Sequence, residues 1–578
     1  MMRRFLPVVF LFVVTVMAYA CGVTNGHLNL DDWGYTAGCA FVKGGLSWTN
    51  LRTAFADLGH GGIWMPLTFV SYMADVSLFG GGWMTHHAVN VALHAFNAVL
   101  VFVFMRALLG ARARSWVCLF AALLWAVHPM RVEAVTWIAS RKEELWTFFA
   151  LAGLLAWRQF LVRGGRWRYG MMLVLFAASM LSKPTAVCLP VLACLMARFV
   201  ASEAPRRFRR YVPMLVLACA VGCVALVSQA RPTGLESVDY ADTTVGWRLL
   251  NAAVSLGLYL SHFFCPVGLR LDYRAVFGGW PRSGELGLTV LAFAVIVVGF
   301  ARQKLVSSDV RRLIGFSVLS ALVALLPVLG LLGVTGDKAF ADRYAYLPSV
   351  FLSLLVATAL EAGARRWPRS MLAVSLALVS ALVALTVPTV RAFESDRTIY
   401  ARVLQDDPDH WRALRVLGCE ACARENRMME GVAMLRRSLR LRPSASTAAS
   451  LAYVLACRGE AGDFSEVRRL GLNVLKDPRR DREGLLLDAL AIVAFREGDD
   501  KEAVRLFGAA LTASMRSHNN LHAMLNFGFA LANLGHDREA LELFAKLHGV
   551  SDPAIRRRAD AAAQKLLEGT FGRFVWQQ

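Results

Sequence analysis

Charge is what this sequence has least of. Charged residues make up 18% of the 578 and apolar residues 56%, whereas soluble globular domains carry roughly 45–50% apolar and about 25% charged residues. That balance excludes a wholly soluble chain. The shortfall is uneven: long apolar runs fill positions 1–390, and the rest reads as a soluble protein. Acidic residues are the scarcer sign, 42 against 63 Lys and Arg, for a formal charge of +21. This does not mark a nucleic-acid protein, because the basic clusters punctuate apolar runs instead of forming one face, as loops beside membrane helices do. Metal-ligand spacing is also missing. Among eleven Cys, Cys419 and Cys422 form one C-x-x-C inside an expected helix, without the second pair that a zinc site of about four ligands needs. Most other Cys lie in apolar helices and pack as small hydrophobes, which leaves the redox compartment open. No Walker A motif, dinucleotide fingerprint, zincin motif or kinase set occurs, which argues against a soluble nucleotide-driven mechanism.

What is present is a series of membrane-length runs. A crossing helix needs about 20 mostly apolar residues. The runs at 5–22, 86–105, 115–129, 143–158, 169–182, 186–200, 211–229, 249–265, 286–301, 313–333, 345–360 and 371–390 predict an all-α bundle of eleven or twelve spans. Met1-Met2-Arg3-Arg4 and the apolar run to Ala20 read as a retained first helix with a cytoplasmic N-terminus. Residues 23–85 read as a structured outer loop. Basic loops at 106–114, 158–168, 202–210, 302–312 and 361–369 are cytoplasmic candidates, but strict alternation satisfies only the first three. One crossing too many or too few therefore lies between 211 and 300. If the last two loops are cytoplasmic, the tail lies outside.

The expected organisation is a transmembrane domain at 1–390, a linker at 391–409 and a helical-repeat domain at 410–578. In the tail Gly431, Val467, Ala503 and Ala540 recur at spacings of 36, 36 and 37, near the tetratricopeptide period of about 34. Turns precede them at Glu425-Asn426, Gly462-Asp463, Gly498-Asp499 and Gly535-His536-Asp537. Leu435, Phe507 and Phe544 follow four residues on, and Pro443, Pro478 and Pro553 mark ends of second helices. Such helix pairs bury their apolar faces only by stacking, which predicts a solenoid with a groove for a protein partner.

Several polar constellations interrupt the apolar region. Asp31-Asp32 follows the first span; one carboxylate should face a pocket, as a general base or a metal-associated acid. His128, Arg131 and Glu133, then Arg141, Lys142, Glu143 and Glu144, flank spans on the outer side. Positive-inside logic does not explain those cations, whereas a phosphate or pyrophosphate does; local pairing of Arg131 or Arg141 with Glu133 is the alternative. Lys183, between two short apolar runs, is a further phosphate contact or a snorkelling side chain. Asp342, Arg343 and Tyr344 open a late span, either as a satisfied Asp342–Arg343 pair with interface aromatics or as a cavity lining. His86 and His87 open the second span, and His87, Asn90, His94 and Asn97 make a polar stripe, better suited to knitting helices than to a metal or substrate contact.

The ordered set Leu30-Asp31-Asp32, WMPLT from Trp64, HAVNVALHAFN from His87, HPMRVEAVTWIASRKEE from His128, SKP at 182–184, NAAVSLGLYL from Asn251, CPVGL from Cys265 and ADRYAYLP from Ala341 resembles a known family. These segments resemble bacterial members of the C-type membrane glycosyltransferase superfamily with tetratricopeptide tails, relatives of the transmembrane protein O-mannosyltransferases. The resemblance implies inverting transfer of a sugar, mannose being one option, from a polyprenyl-phosphate donor to a hydroxyl acceptor at the outer face of a bacterial inner membrane. It implies Asp31 or Asp32 as base, and Arg131, Arg141, Lys142 and Lys183 at the donor phosphate. His87, His128, Glu133, Asp342, Arg343 and Tyr344 are further pocket candidates. A divalent cation stays open, as do a protein acceptor in the repeat groove and the identity of the sugar. Arg131 stands where the animal branch commonly has His, and Pro184 where it commonly has Glu. Two other functions fit the pattern: a non-catalytic scaffold for envelope assembly, and a transporter of lipid-linked sugars.

Overall fold

The computed structural model describes residues 2–58, 63–110, 113–200, 208–229, 244–273, 287–292, 295, 307–331, 340–423, 427–475, 483–514, 521–548, 553–572 and 574. They form α and 3-10 helices, with no strand among them. The chain divides into two compact units at Arg402/Val403. The stretch 391–409 expected as a linker carries the helix Asp396–Asp406.

In the first unit, eleven of the twelve expected spans fall on helices; 286–301 lies largely outside the described residues. Five described helices are long and apolar enough to cross a membrane: Phe5–Gly22, Trp83–Leu109, Ile138–Arg163, Ser308–Val328 and Pro368–Ala392. The pair Ser115–Ala126 and Pro129–Thr136, bent by 53°, makes a sixth if it is one span. Pro184–Phe199, Val212–Ser228 and Pro348–Ala364 are apolar but shorter. The shortening has a local cause. Pro129, Pro184 and Pro348 each open a segment at one end of the bundle, where a ring locked in φ and lacking an N–H starts a helix but cannot continue one. Short 3-10 turns at Pro129–Arg131, Ile138–Ser140, Pro184–Cys188 and Asp342–Ala345 fill the space left there.

Those turns define one end of the bundle, and the basic loops lie at the other. Arg114 donates through its backbone and Nη1 to Glu361 at 3.1 and 3.0 Å, joining loops 106–114 and 361–369. Tyr169 donates to the Arg210 carbonyl at 2.8 Å, joining 158–168 to 208–210. Gly315 packs on Phe199, bringing the start of Ser308–Leu325 to the end of Leu189–Phe199. Helices Arg141–Arg163 and Pro348–Ala364 run from the polar end toward these loops. The described parts of the five basic loops therefore share one side. The parity conflict resolves between 211 and 265. Ser228 donates to the Leu58 carbonyl of the outer loop, and His262 bonds Asp342. Among the described residues, the chain is therefore at the polar end both at Ser228 and at His262.

The second unit stacks helix pairs Trp411–Cys422 with Met428–Leu441, Ala445–Arg458 with Asp463–Leu475, Glu483–Glu497 with Asp500–Ser514, and Leu521–Asn533 with Asp537–His548, followed by Pro553–Leu567. Val467, Ala503 and Ala540, with Leu435, Phe507 and Phe544, lie in one continuous core. A side chain at Gly431 would meet the Gly418 carbonyl at 2.6 Å, so glycine sets how closely the first pair approaches. Pro443 follows the second helix of its pair and Pro553 opens the last helix; Glu425-Asn426 and Pro478 lie outside the described residues.

Candidate active site

Asp31 and Asp32 are not equivalent. They sit at the start of a one-turn helix, Asp32–Tyr35, instead of an extended loop. Asp32 is fully buried; its Oδ1 accepts from the Ala139 N–H at 2.8 Å and its Oδ2 from the Leu28 N–H at 2.9 Å. Asp32 therefore ties the outer loop to the turn Ile138–Ser140. Burial pushes its pKa up to about 7, against the downward pull of these two N–H groups. Asp31 is half-buried, does not cap the helix through its side chain, and its carboxylate takes no hydrogen bond among the described residues; only its main-chain carbonyl accepts, from the Tyr35 N–H.

Facing Asp31 is a layer of cations and aromatic rings. Lys142 lies within electrostatic reach of Asp31, Arg343 and Lys183. Its Nζ is 3.4 Å from the Tyr35 hydroxyl and 4.8 Å from the ring centre. Burial keeps Tyr35 protonated by raising its pKa well above the ordinary value. Lys183 pairs with Glu143 and lies 4.8 Å from the Tyr344 ring. Arg343 pairs with Glu133, which also accepts the Arg343 N–H at 3.0 Å, and its guanidinium is 4.7 Å from the Tyr344 ring and 4.9 Å from Trp137. The cluster thus gathers Asp31, Lys142, Lys183, Glu133, Arg343 and Tyr344 from four separate parts of the sequence. Beside it a shallow recess, with room for little more than a water molecule, is lined by Glu133, Leu269, Leu271, Asp342, Phe393 and Arg402.

Other expected residues lie behind this surface. Arg141 is fully buried: it pairs with Asp75 at 2.6 Å and donates to Asn90 Oδ1 at 2.7 Å and the His86 carbonyl at 2.9 Å. Arg131 is also fully buried and donates Nη1 to the Ala345 carbonyl at 2.7 Å. Neither pairs with Glu133, whose partner is Arg343. Asp342 is not bonded to Arg343 either; it accepts from His262 at 2.7 Å and from the Tyr273 hydroxyl. Lys183 is buried rather than snorkelling. His87 Nε2 bonds the Gly26 carbonyl at 3.2 Å, and His128 Nε2 donates to the Phe263 carbonyl at 3.0 Å. The polar stripe knits the bundle: His86 bonds Asp75, Asn90 bonds Arg141, and His94 and Asn97 bond Tyr346. Among the described residues, no group of three or more His, Cys, Asp and Glu is placed to hold a metal ion.

Tyr35, Asp75, Trp137, His262 and Tyr273 were not singled out by sequence. Asp75 carried a usable signal, as the lone acid in the apolar helix Pro66–Phe79. Tyr35, His262 and Tyr273 carried none, since their roles depend on distant partners.

No family profile matches the chain, and no solved structure does. Curated relatives do. A protein O-mannosyl-transferase of Caenorhabditis elegans is 22% identical over 367 residues, which is 61% of this chain and 51% of that protein. Protein O-mannosyl-transferase Tmtc2 of Drosophila melanogaster is 30% identical over 237 residues, 37% of this chain and 24% of its own length. Protein O-mannosyl-transferase TMTC3 of mouse is 35% identical over 92 residues, 16% of this chain and 10% of its own. The alignments thus span about half the length of the worm relative and less of the others. A multi-pass helical membrane unit with a helical-repeat tail, this chain is similar over part of its length to protein O-mannosyl-transferases.

Proposed function

We propose that this protein transfers a sugar from a polyprenyl-phosphate donor to a hydroxyl acceptor at the polar end of its membrane unit. The observation that carries the reading is the division between the two aspartates: Asp32 is held in structure, and Asp31 beside it is accessible, its carboxylate unbonded among the described residues and opposite Lys142.

Asp31 takes the proton of the acceptor hydroxyl as its oxygen attacks the anomeric carbon. The bond from that carbon to the phosphate oxygen breaks, the lipid phosphate leaves with the electron pair, and the configuration inverts. Lys183 and Arg343 are paired with Glu143 and Glu133, and Lys142 stands against Asp31, so the charges balance until Asp31 takes the acceptor's proton, which leaves one positive charge over. One excess charge suits a phosphate diester better than a pyrophosphate. Fixed in a layer that excludes water, it acts where negative charge develops on the leaving group. Arg131 and Arg141 lie behind this surface, so the donor contact rests on Lys142 and Lys183.

The test is transfer from radiolabelled polyprenyl-phosphate mannose, and then other lipid-phosphate sugars, to envelope proteins in liposomes. Label moving to an acceptor, and lost in a folded Asp31→Asn variant, supports the reading. No transfer from any donor by folded protein, with an active control enzyme, overturns it in favour of a scaffold.

A further inference from the structure

The repeat unit carries an arrangement that the stacking of its helices does not require. The last helix, Pro553–Leu567, closes in a turn at Gly569, whose φ of +67° suits a residue without a side chain. The Gly569 N–H donates to the Leu566 carbonyl at 3.2 Å and the Thr570 N–H to the Lys565 carbonyl at 2.9 Å, which satisfies the end of the helix. Beyond this turn the described residues 570–572 and Phe574 belong to no helix. Phe574 lies against the first helices of the third and fourth pairs, Glu483–Glu497 and Leu521–Asn533. Its ring stacks on Phe529, centroids 3.8 Å apart and planes within 4°, and parallels Phe495 at 6.1 Å and 16°. Phe571 packs against the same core.

One side chain reads the backbone of Phe574. Asn533 Oδ1 accepts the Phe574 N–H at 2.8 Å, and Asn533 Nδ2 donates to the Phe574 carbonyl at 3.1 Å. Asp500 fixes the orientation of that amide: its Oδ1 lies 3.4 Å from Nδ2, and an ionised carboxylate only accepts. A residue that turns its N–H and C=O to the same partner is placed as in a hydrogen-bonded strand pair, with Asn533 standing where the second strand would be. These two bonds recognise an extended backbone whatever its side chain, and the Phe529 and Phe495 rings select an aromatic one. The hold is light. Phe571 and Phe574 are only partly buried and Gly572 is exposed, so the segment can open without disturbing the helices beneath it. Phe529 is 4% exposed with Phe574 in place, and removal of that ring bares its face.

We propose that Asn533, Phe529 and Phe495 form a docking site for an extended peptide bearing an aromatic side chain, that segment 570–574 is its resident occupant, and that a partner peptide binds by displacing this segment. The seated residue defines the partner's chemistry: a backbone outside any helix, with a phenylalanine-like ring at the position held by Asn533. The site is independent of the sugar-transfer reading, and its test needs no transfer.

Two measurements on the full chain in detergent test it. In the wild type, the amides of Gly572 and Phe574 should exchange hydrogen faster than those of the helix Leu521–Asn533, because the segment opens on its own. Exchange as slow as that of the helix would make the segment part of the fixed core and overturn the proposal. The second measurement is fluorescence anisotropy of a labelled synthetic peptide with the sequence of residues 568–578. Phe574→Ala in the full chain vacates the site, so this variant should bind the peptide about tenfold more tightly than the wild type, where the tethered segment competes. Adding Asn533→Leu should weaken that binding about tenfold by removing both backbone bonds, and a peptide carrying Phe574→Ala should not bind. Equal affinity of wild type and Phe574→Ala for the peptide, or binding indifferent to Asn533→Leu, overturns the site. If Phe574→Ala does not fold, the wild-type exchange decides alone.

Discussion

At the residue scale, two adjacent carboxylates of one sequence motif are assigned opposite tasks by their surroundings, and substitution should separate them. Asp31→Asn removes a proton acceptor and no structural bond, so transfer should fall about a hundredfold or more with the thermal midpoint unchanged. Asp32→Asn replaces one accepting oxygen with an amide that faces the Leu28 or Ala139 N–H. That mismatch should cost about 1–3 kcal/mol of stability. The pH dependence has a definite sign. The Asp32 pKa rises from an ordinary 3.8 to about 7 on folding, so between these values the folded state holds more protons than the unfolded one. Stability should be greatest near pH 4 and fall as pH rises through 7. Thermal midpoints measured across that range should show the slope in wild type and lose it in Asp32→Asn. Lys142 supplies the third residue-scale test. Lys142→Met should raise donor KM severalfold by removing the cation opposite Asp31, and Lys142→Arg should restore most of the affinity. An unchanged donor KM would remove Lys142 from the donor site. The sequence marked the acid pair and all three cations of the cluster, because ionisable groups stand out against apolar runs. It did not distinguish Asp31 from Asp32, or Lys142 from Arg141. Those distinctions depend on partners more than fifty residues away, such as Asn90 for Arg141 and Ala139 for Asp32.

At the element scale, apolar length made most of the first-unit helices legible, and repeat spacing did the same for the second unit. The short turns that carry the site were not legible. Ile138–Ser140 and Asp342–Ala345 have no periodic signal, and each is defined by tertiary bonds. The long helices behind these turns depend on close approach. Gly153 in Arg141–Arg163 packs on Phe176 of Arg166–Ser182, where an added Cβ would meet the ring at 2.6 Å. Gly153→Val should force the helices apart and cost about 1–3 kcal/mol. Because Lys142 begins one of these helices and Lys183 follows the other, transfer should fall too. Adding Phe176→Ala should recover much of the thermal midpoint; no recovery would mean that the strain lies elsewhere.

At the scale of the molecule, topology decides what the site can meet. The sequence pattern placed five basic loops but left two of them on the wrong parity, whereas among the described residues the chain is at the polar end both at Ser228 and at His262. The described parts of the five loops oppose the polar end. The helix Pro368–Ala392 starts beside loop 361–369 and finishes where the Val390 carbonyl accepts from Asn25 and the Glu394 carbonyl accepts the Gly26 N–H. The first unit therefore releases the chain at Arg402 on the same side as Asp31. If the basic loops face the cytoplasm, as the positive-inside rule predicts, Asp31 is expected on the outer side, and the chain is expected to enter the repeat unit from that side. Single cysteines at Arg365 and at the exposed Ser465 of the second unit, in a background without reactive native thiols, test this with a membrane-impermeant maleimide on sealed vesicles of known orientation. Labelling should reach Ser465→Cys from the outer side and Arg365→Cys from the inner side. Labelling of both positions from one side would break the link between the site and the repeats, and a protein acceptor held by the solenoid would then have no access to Asp31.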